Sequence, residues 1–107
     1  MKILIDECIP RKLKFSLLDH ECKTVPEAGL SDYKNGRLLS SAESAGFDLF
    51  LTIDKRMPYQ QNLSGRLISI MIVRVRSNRL PDFLPHLDEC RSKLKLIERG
   101  EVIVIGQ

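Results

Sequence analysis

The stretch KILIDE, residues 2–7, determines how the rest of the chain is interpreted. A short run that is mainly apolar leads directly into two adjacent carboxylates, Asp6 and Glu7. Such a run is typical of a short strand that is buried on both faces of a sheet. The two acids therefore mark the end of the first strand. They either cap the segment that follows or form the start of an acidic site.

The same strand pattern returns along the chain and alternates with helical spacing of leucines. Four further runs have strand character: 21–25, 47–54, 66–75 and 101–106. Helices are predicted over about 10–18, 36–46 and 80–97, with Gly46 ending the second and Pro85 marking a kink or a 3₁₀ start in the third. This alternation predicts the α/β class: a three-layer sandwich with a mostly parallel central sheet of about five strands.

Composition limits the classes that remain. The chain has 107 residues, of which 43% are hydrophobic and 29% are charged, so residues 1–107 are expected to form one globular domain. The apolar runs fall short of the roughly 20 residues that a membrane helix needs, and no signal peptide is expected, so the cytoplasm is the expected location. The three cysteines, Cys8, Cys22 and Cys90, are odd in number and lack C-x-x-C spacing, which argues against a disulfide framework and a zinc site.

Acidic residues end two of the predicted strands. Asp6 and Glu7 follow the first, and TID, residues 52–54, ends the third. If these strands are neighbours, the carboxylates meet at one edge of the sheet, where sites form in open α/β folds. Clustered carboxylates repel each other unless a cation neutralises them, and oxygen ligands suit Mg²⁺ or Mn²⁺. Either acid alone is explained equally well as a helix cap.

Basic residues accompany these acids in the sequence. The segments 11–14 and 55–66, which include Arg11, Lys55, Arg56 and Arg66, are expected at the same edge, where they would hold a phosphodiester backbone. The net charge of +3 permits an anionic partner without requiring one. Each basic cluster is also explained as a solvated face.

Phospho-acceptor receiver domains share an acidic pair after strand one and an aspartate after strand three. They also require a lysine at the end of the fifth strand and a full helix between strands three and four. Here the last strand reads VIVIGQ, residues 102–107, and only residues 55–65 are available for that helix. The receiver interpretation is therefore disfavoured.

Three stretches of the chain together resemble the DUF5615 group of PIN-like domains: MKILIDECIPRKL (1–13), VPEAGLSDYKNGRLLSSAESAGFDLFLTIDKRM (25–57) and YQQNLSGR (59–66). The resemblance extends from residue 1 to about residue 79. It implies a PIN-type fold with an acidic metal pocket, and a Mg²⁺- or Mn²⁺-dependent ribonuclease. It also implies a toxin restrained by an antitoxin protein, in a family whose members often pair as homodimers. Asp6 and Asp54 match the metal-binding acids, with Glu7 beside the first.

One position departs from the family pattern. Where many members of the wider family open a helix with an aspartate, this chain has Asn35, which offers a neutral oxygen but no charge and no general base. Its other role is as a helix cap. Glu43 and Asp32 are alternative sources of the missing charge, and a catalytically weakened module that binds RNA or a protein partner is the alternative function.

The segment YQQN, residues 59–62, supplies the remaining predicted contacts to substrate. Tyr59 is placed to stack on a base, and Gln60 and Asn62 to hydrogen-bond to a sugar or a base edge. A helical turn with internally bonded amides explains the same residues.

Overall fold

The computed structural model describes residues 1–17, 19–57 and 65–106, and describes the backbone but not the side chain of Asn35. Five parallel strands form one sheet in the order β2-β1-β3-β4-β5. The strands are β1 (Lys2–Ile5), β2 (Glu21–Thr24), β3 (Leu49–Thr52), β4 (Ser69–Val73) and β5 (Val102–Ile105). Each of the five observed strands lies within one of the runs that the sequence predicts as a strand.

The helices cover both faces of this sheet. Those that the described residues form are, in chain order, a 3₁₀ helix at Arg11–Ser16, α1 (Asn35–Ser44), α2 (Leu80–Phe83), a 3₁₀ helix at Leu84–His86, and α3 (Leu87–Leu94). In the described part of the chain, these helices are too short and too polar to span a membrane.

Alternation along the strands divides the core into two clusters. Ile3, Ile5 and Leu51 pack with the first 3₁₀ helix, α2 and α3 on one face. Leu4 and Phe50 pack with α1 on the other. Successive side chains of a strand point to opposite faces of the sheet, so residues two apart share a face. The predicted three-layer α/β sandwich is confirmed, and the layers are compatible with a PIN-like fold.

The first connection differs from the prediction. The α-helix expected over 10–18 is a 3₁₀ helix over Arg11–Ser16, with backbone N–H groups such as that of Leu13 bonding three residues back, to Pro10. The described connection from β1 to β2 therefore contains a short 3₁₀ helix in place of an α-helix.

The last helical region is interrupted at Pro85, as predicted. Pro85 lies in the 3₁₀ helix that separates α2 from α3, and it has no N–H to continue an α-helical ladder. The region ends at Leu94, three residues earlier than expected. Helix α1 ends close to its predicted boundary, because Gly46 has a φ of +87° and donates its N–H to the carbonyl of Glu43.

Candidate functional site

The winding of the chain changes direction between β1 and β3. These two strands are direct neighbours, with Ile5 opposite Leu51, while β2 lies outside β1 and β4 and β5 lie beyond β3. In doubly wound sheets of this order, a crevice opens beyond the carboxyl ends of the two central strands. Asp6 follows β1 and Asp54 follows β3 at this edge, here called the carboxyl edge. Strands β1 and β3 are thus neighbours, which is the condition under which their acids meet at one edge.

The Asp6 carboxylate is held by three hydrogen-bond donors. Its Oδ2 accepts from the Thr52 hydroxyl at 2.6 Å and from the Cys8 thiol at 3.3 Å. Its Oδ1 accepts from the backbone N–H of Glu7 at 2.8 Å. The Asp6 N–H also extends the β1–β3 ladder by donating to the carbonyl of Leu51 at 3.0 Å. Both the backbone and the side chain of Asp6 are therefore fixed.

Thr52 connects the two acids. It is fully buried at the end of a strand whose other residues are apolar. Its hydroxyl donates to Asp6 and accepts from the backbone N–H of Asp54 at 3.1 Å. The sequence marks this residue as the one polar side chain in β3, but the spacing alone does not predict that it bridges Asp6 and Asp54.

Asp54 forms a tight turn with the residues that follow it. Its Oδ1 accepts from the backbone N–H of Arg56 at 3.0 Å and lies 3.5 Å from the Arg56 guanidinium Nε. Its backbone carbonyl accepts from the N–H of Met57 at 3.2 Å. Within the described residues, the other carboxylate oxygen, Oδ2, is without a hydrogen-bond donor.

Both acids line a cavity of about 300 Å³. Glu7 also lines it, with an exposed side chain, and the apolar part of the wall includes Leu38 and Phe50. In the described ranges, no group of three or more His, Cys, Asp or Glu side chains is arranged to hold a metal ion. The charged part of the cavity is therefore a pair of fixed aspartates with Glu7 at its margin.

Two further residues of this cavity were missed by sequence reasoning. Tyr33 and Lys34 lie just before α1 and line the same space as Asp6 and Asp54. The Arg37 guanidinium stacks 4.6 Å from the centre of the Tyr33 ring. Nothing in the residue types between β2 and α1 distinguishes these two side chains from an ordinary polar loop.

Among the described residues, the other predicted site positions lie along the carboxyl edge. Arg11 begins the first 3₁₀ helix and is exposed, as are Lys55 and Arg56 after Asp54. Asn35 begins α1, and the described part of the structure does not include its side chain. The predictions for Tyr59, Gln60 and Asn62 fall outside the described residues.

Arg66 does not belong to this site, contrary to expectation, and neither does Glu43, the alternative source of charge. Arg66 precedes β4 and pairs with Glu43 at 3.1 Å. Glu43 contributes to a different cavity together with Met1 and Asp48, which precede β1 and β3. The pair therefore lies at the opposite, amino edge of the sheet. The position of Arg66 before a strand rather than after one is the physical reason for the correction.

Cys8 is a half-buried donor at this site. Burial is the main cause that raises the pKa of its thiol to about 11, and the nearby charge of Asp6 acts in the same direction. The thiol donates to Asp6 Oδ2. A raised pKa disfavours a role of this thiol as a nucleophile.

The donors present fit a hard divalent cation. Asp54 Oδ2 is available, and Asp6 Oδ1 has one of its two lone pairs engaged, by Glu7 N–H. Mg²⁺ is commonly held by one or two carboxylates together with water and substrate phosphates, so two aspartates are a sufficient protein contribution.

Comparisons of the chain with models of protein families, with curated proteins and with solved structures gave no match. The receiver alternative remains disfavoured, because β5 ends at Ile105 and is followed by Gly106 where a lysine is required. The function of the chain is therefore inferred from the geometry of the carboxyl edge.

Proposed function

We propose that this protein is a Mg²⁺- or Mn²⁺-dependent ribonuclease of PIN-like type, which hydrolyses phosphodiester bonds of RNA at the carboxyl edge of its sheet. The observation that carries the proposal is the Thr52 hydroxyl, which bonds to both Asp6 and the backbone of Asp54 and so holds the two acids at one cavity. We also propose that the protein is a cytoplasmic toxin. An antitoxin protein would restrain it, and it would be able to pair as a homodimer.

Asp6 and Asp54 would hold the ion in this mechanism. When bound, a divalent ion polarises a phosphoryl oxygen and supplies a water of lowered pKa. Lys34 lines the same cavity and offers its positive charge to a substrate phosphate. Lys55 and Arg56, directly after Asp54, and Arg11, at the start of its 3₁₀ helix, are the other proposed phosphate contacts.

The apolar wall has a separate function in this proposal. Phe50 and Leu38 lie beneath the acids and limit the access of water to the cavity from the core side. Charges act more strongly on each other where water is excluded. The orientation of Asp6 is fixed before substrate arrives, so little reorganisation is required when charge develops.

A second candidate function is a PIN-like module that binds RNA or a protein partner with weak or no catalysis. Two observations favour it. Asn35 replaces an acid, and the described residues contain no third acid in a ligating arrangement with Asp6 and Asp54. In such a module the removal of one negative charge would leave RNA affinity unchanged or raise it.

Cleavage of a fluorescent single-stranded RNA in Mn²⁺ distinguishes the two functions. We expect cleavage by the wild type and a loss of about 100-fold or more for Asp54→Asn, since the variant removes a proposed ligand charge while retaining its shape. Asp88→Asn is the matched control, because its side chain is fully exposed on α3, and it should cleave like the wild type. Wild-type protein that binds RNA without metal-dependent cleavage would establish the binding module.

A further inference from the structure

A second cavity lies along the carboxyl edge, beyond the acidic one. It has a volume of about 490 Å³ and is here called the basic groove. Its polar lining comprises Lys55, Arg74, Arg76, Asp82, His86 and the backbone of Gly106. Lys55 follows β3 and Asp54, Arg74 follows β4, and Gly106 follows β5. The groove therefore continues the same edge of the sheet from the acidic cavity across the next two strands.

The charge of the groove is positive. Lys55, Arg74 and Arg76 contribute three cationic side chains against the single carboxylate of Asp82, which accepts a hydrogen bond from the Ser77 hydroxyl. Arg74 and Arg76 are exposed, and within the described ranges neither forms an ion pair. By contrast, Arg66 at the amino edge is neutralised by Glu43. The groove thus presents cationic groups that are free to bind an anion.

The backbone beneath these side chains is fixed. The N–H of Arg74 donates to the carbonyl of Ile105 at 2.8 Å, which extends the β4–β5 ladder under the groove. Gly106 has a φ of +82°, and a Cβ there would lie 2.8 Å from the Arg74 carbonyl oxygen and 2.9 Å from the His86 ring. The absence of a side chain lets the His86 ring and the end of β4 close against this backbone. At Gly106 the wall of the groove is therefore formed by main chain, with the His86 ring against it.

Lys55 joins this groove to the acidic cavity, because it is the residue next to Asp54 and also lines the groove. We propose that the basic groove binds the phosphodiester backbone of single-stranded RNA on one side of the bond that is cleaved, with Arg74 and Arg76 as positioning residues for successive phosphates. The inference rests on the proposed ribonuclease function, and it assigns a direction in which the strand leaves the acidic cavity. Arginine suits this task because its guanidinium binds phosphate oxygens in pairs.

RNA binding in EDTA tests the groove without any cleavage. The probe is a fluorescein-labelled single-stranded RNA of about 12 nucleotides, followed by anisotropy from about 50 to about 200 mM salt. The variant Arg74→Gln/Arg76→Gln is compared with Lys95→Gln/Arg99→Gln, an equal change of charge at two exposed residues outside the groove. Arg99 lines the amino-edge cavity. The variant Arg74→Lys/Arg76→Lys keeps the charge. It shows whether a loss of RNA affinity in the glutamine variant is due to the loss of charge.

We expect the groove variant to bind about tenfold or more weakly at low salt, with a salt slope smaller by about 1.4, since each contact to a single strand contributes about 0.7. The lysine variant should bind more tightly than the glutamine variant but less tightly than the wild type, because it keeps the charge and loses the paired guanidinium contact, and the control should match the wild type. Equal affinity of the groove variant and the wild type would overturn the inference, as would an equal loss in the control or a wild type that does not bind. Failure of the ribonuclease proposal is seen separately, as an absence of metal-dependent cleavage by the wild type.

Discussion

At the residue scale, the hydroxyl of Thr52 determines the geometry of the acidic cavity. A buried hydroxyl is costly unless both its donor and its acceptor roles are satisfied, and here both are used, by Asp6 and by the N–H of Asp54. Asp6 follows β1, and Thr52 and Asp54 lie at the end of the neighbouring strand β3. A single side chain therefore converts the parallel pairing of β1 and β3 into a fixed arrangement of the two acids.

Replacement of Thr52 by valine tests this role, since valine has nearly the same shape and no hydroxyl. We expect Thr52→Val to lower the free energy of unfolding by about 1–3 kcal/mol, because the Asp54 N–H and Asp6 Oδ2 both lose a partner in a buried place. Mn²⁺ affinity should fall by about tenfold or more, as found when partners that orient metal ligands are removed. Urea denaturation and calorimetry measure the two effects.

Thr52→Ser is the matched control, because it keeps the hydroxyl and removes only a methyl group, at a cost of about 1 kcal/mol. Its Mn²⁺ affinity should remain that of the wild type. A valine variant that binds Mn²⁺ as tightly as the serine variant would show that Thr52 only fills the strand end.

Residue types at strand ends predict that Asp6 and Asp54 lie at one edge of the sheet, since the ends of parallel strands share an edge. The same rule misplaced Arg66, because the boundary of β4 lies at Ser69 and places Arg66 before the strand. Tyr33 and Lys34 were not predictable, because the path of the loop between β2 and α1 depends on tertiary packing. Spacing also does not distinguish a bridging threonine from one that only fills a strand.

At the element scale, an ion pair joins the first 3₁₀ helix to the turn after β2. Lys14, in the last turn of that helix, donates to Glu27 at 2.6 Å, and Glu27 also accepts from the N–H of Thr24 at 2.9 Å. The Lys14 hydrogen bond is the main cause that lowers the pKa of Glu27 from its ordinary 4.5 to about 2, and the Thr24 N–H adds to it. A short connection that lacks an α-helix is held in place partly by this contact.

This contact predicts a pH dependence of stability. Since the pKa of Glu27 is lower in the folded than in the unfolded protein, its contribution is complete above pH 4.5 and is lost as the pH falls towards 2. We expect Glu27→Gln to lower Tm near neutral pH, and the Tm values of the variant and the wild type to converge over that acidic range. Thermal unfolding followed by circular dichroism at a series of pH values measures this.

Glu21→Gln is the matched control, because Glu21 also faces a lysine, Lys2, but at 4.0 Å and with an exposed side chain. It should follow the wild-type profile. A constant difference in Tm between Glu27→Gln and the wild type at every pH would contradict the role assigned to the ionised carboxylate.

The type of most elements was predictable from periodicity, and the first helix shows why one was not. Leu13 and Leu17 are both buried, and a spacing of four that faces a sheet is read as an α-helix. Spacing does not separate the two helix types here, because Leu13 lies in the 3₁₀ helix and Leu17 at its C-cap, and both are still buried. The interruption near Pro85 was predictable, because the missing N–H of proline is a local property.

At the scale of the whole molecule, strand order is the fact on which the site depends, and the sequence alone does not contain it. Alternating strands and helices predict a parallel sheet, but several orders satisfy the same pattern. The observed order β2-β1-β3-β4-β5 places Asp6 and Asp54 on adjacent strands, and places the basic groove beside Asp54. The carboxyl edge thus carries both the acids and unpaired cationic side chains, whereas Arg66 and Glu43 neutralise each other at the amino edge.

The central claim is that Asp6 and Asp54 form a divalent-metal site, and Mn²⁺ binding measured by calorimetry tests it most directly. The comparison requires the wild type, the double variant Asp6→Asn/Asp54→Asn, and the exposed control Asp88→Asn. We predict binding in the micromolar range by the wild type and the control, and none by the double variant, because the neutral amides are weak ligands for a hard cation. A wild type that releases no heat, or a double variant that binds equally well, would contradict the account.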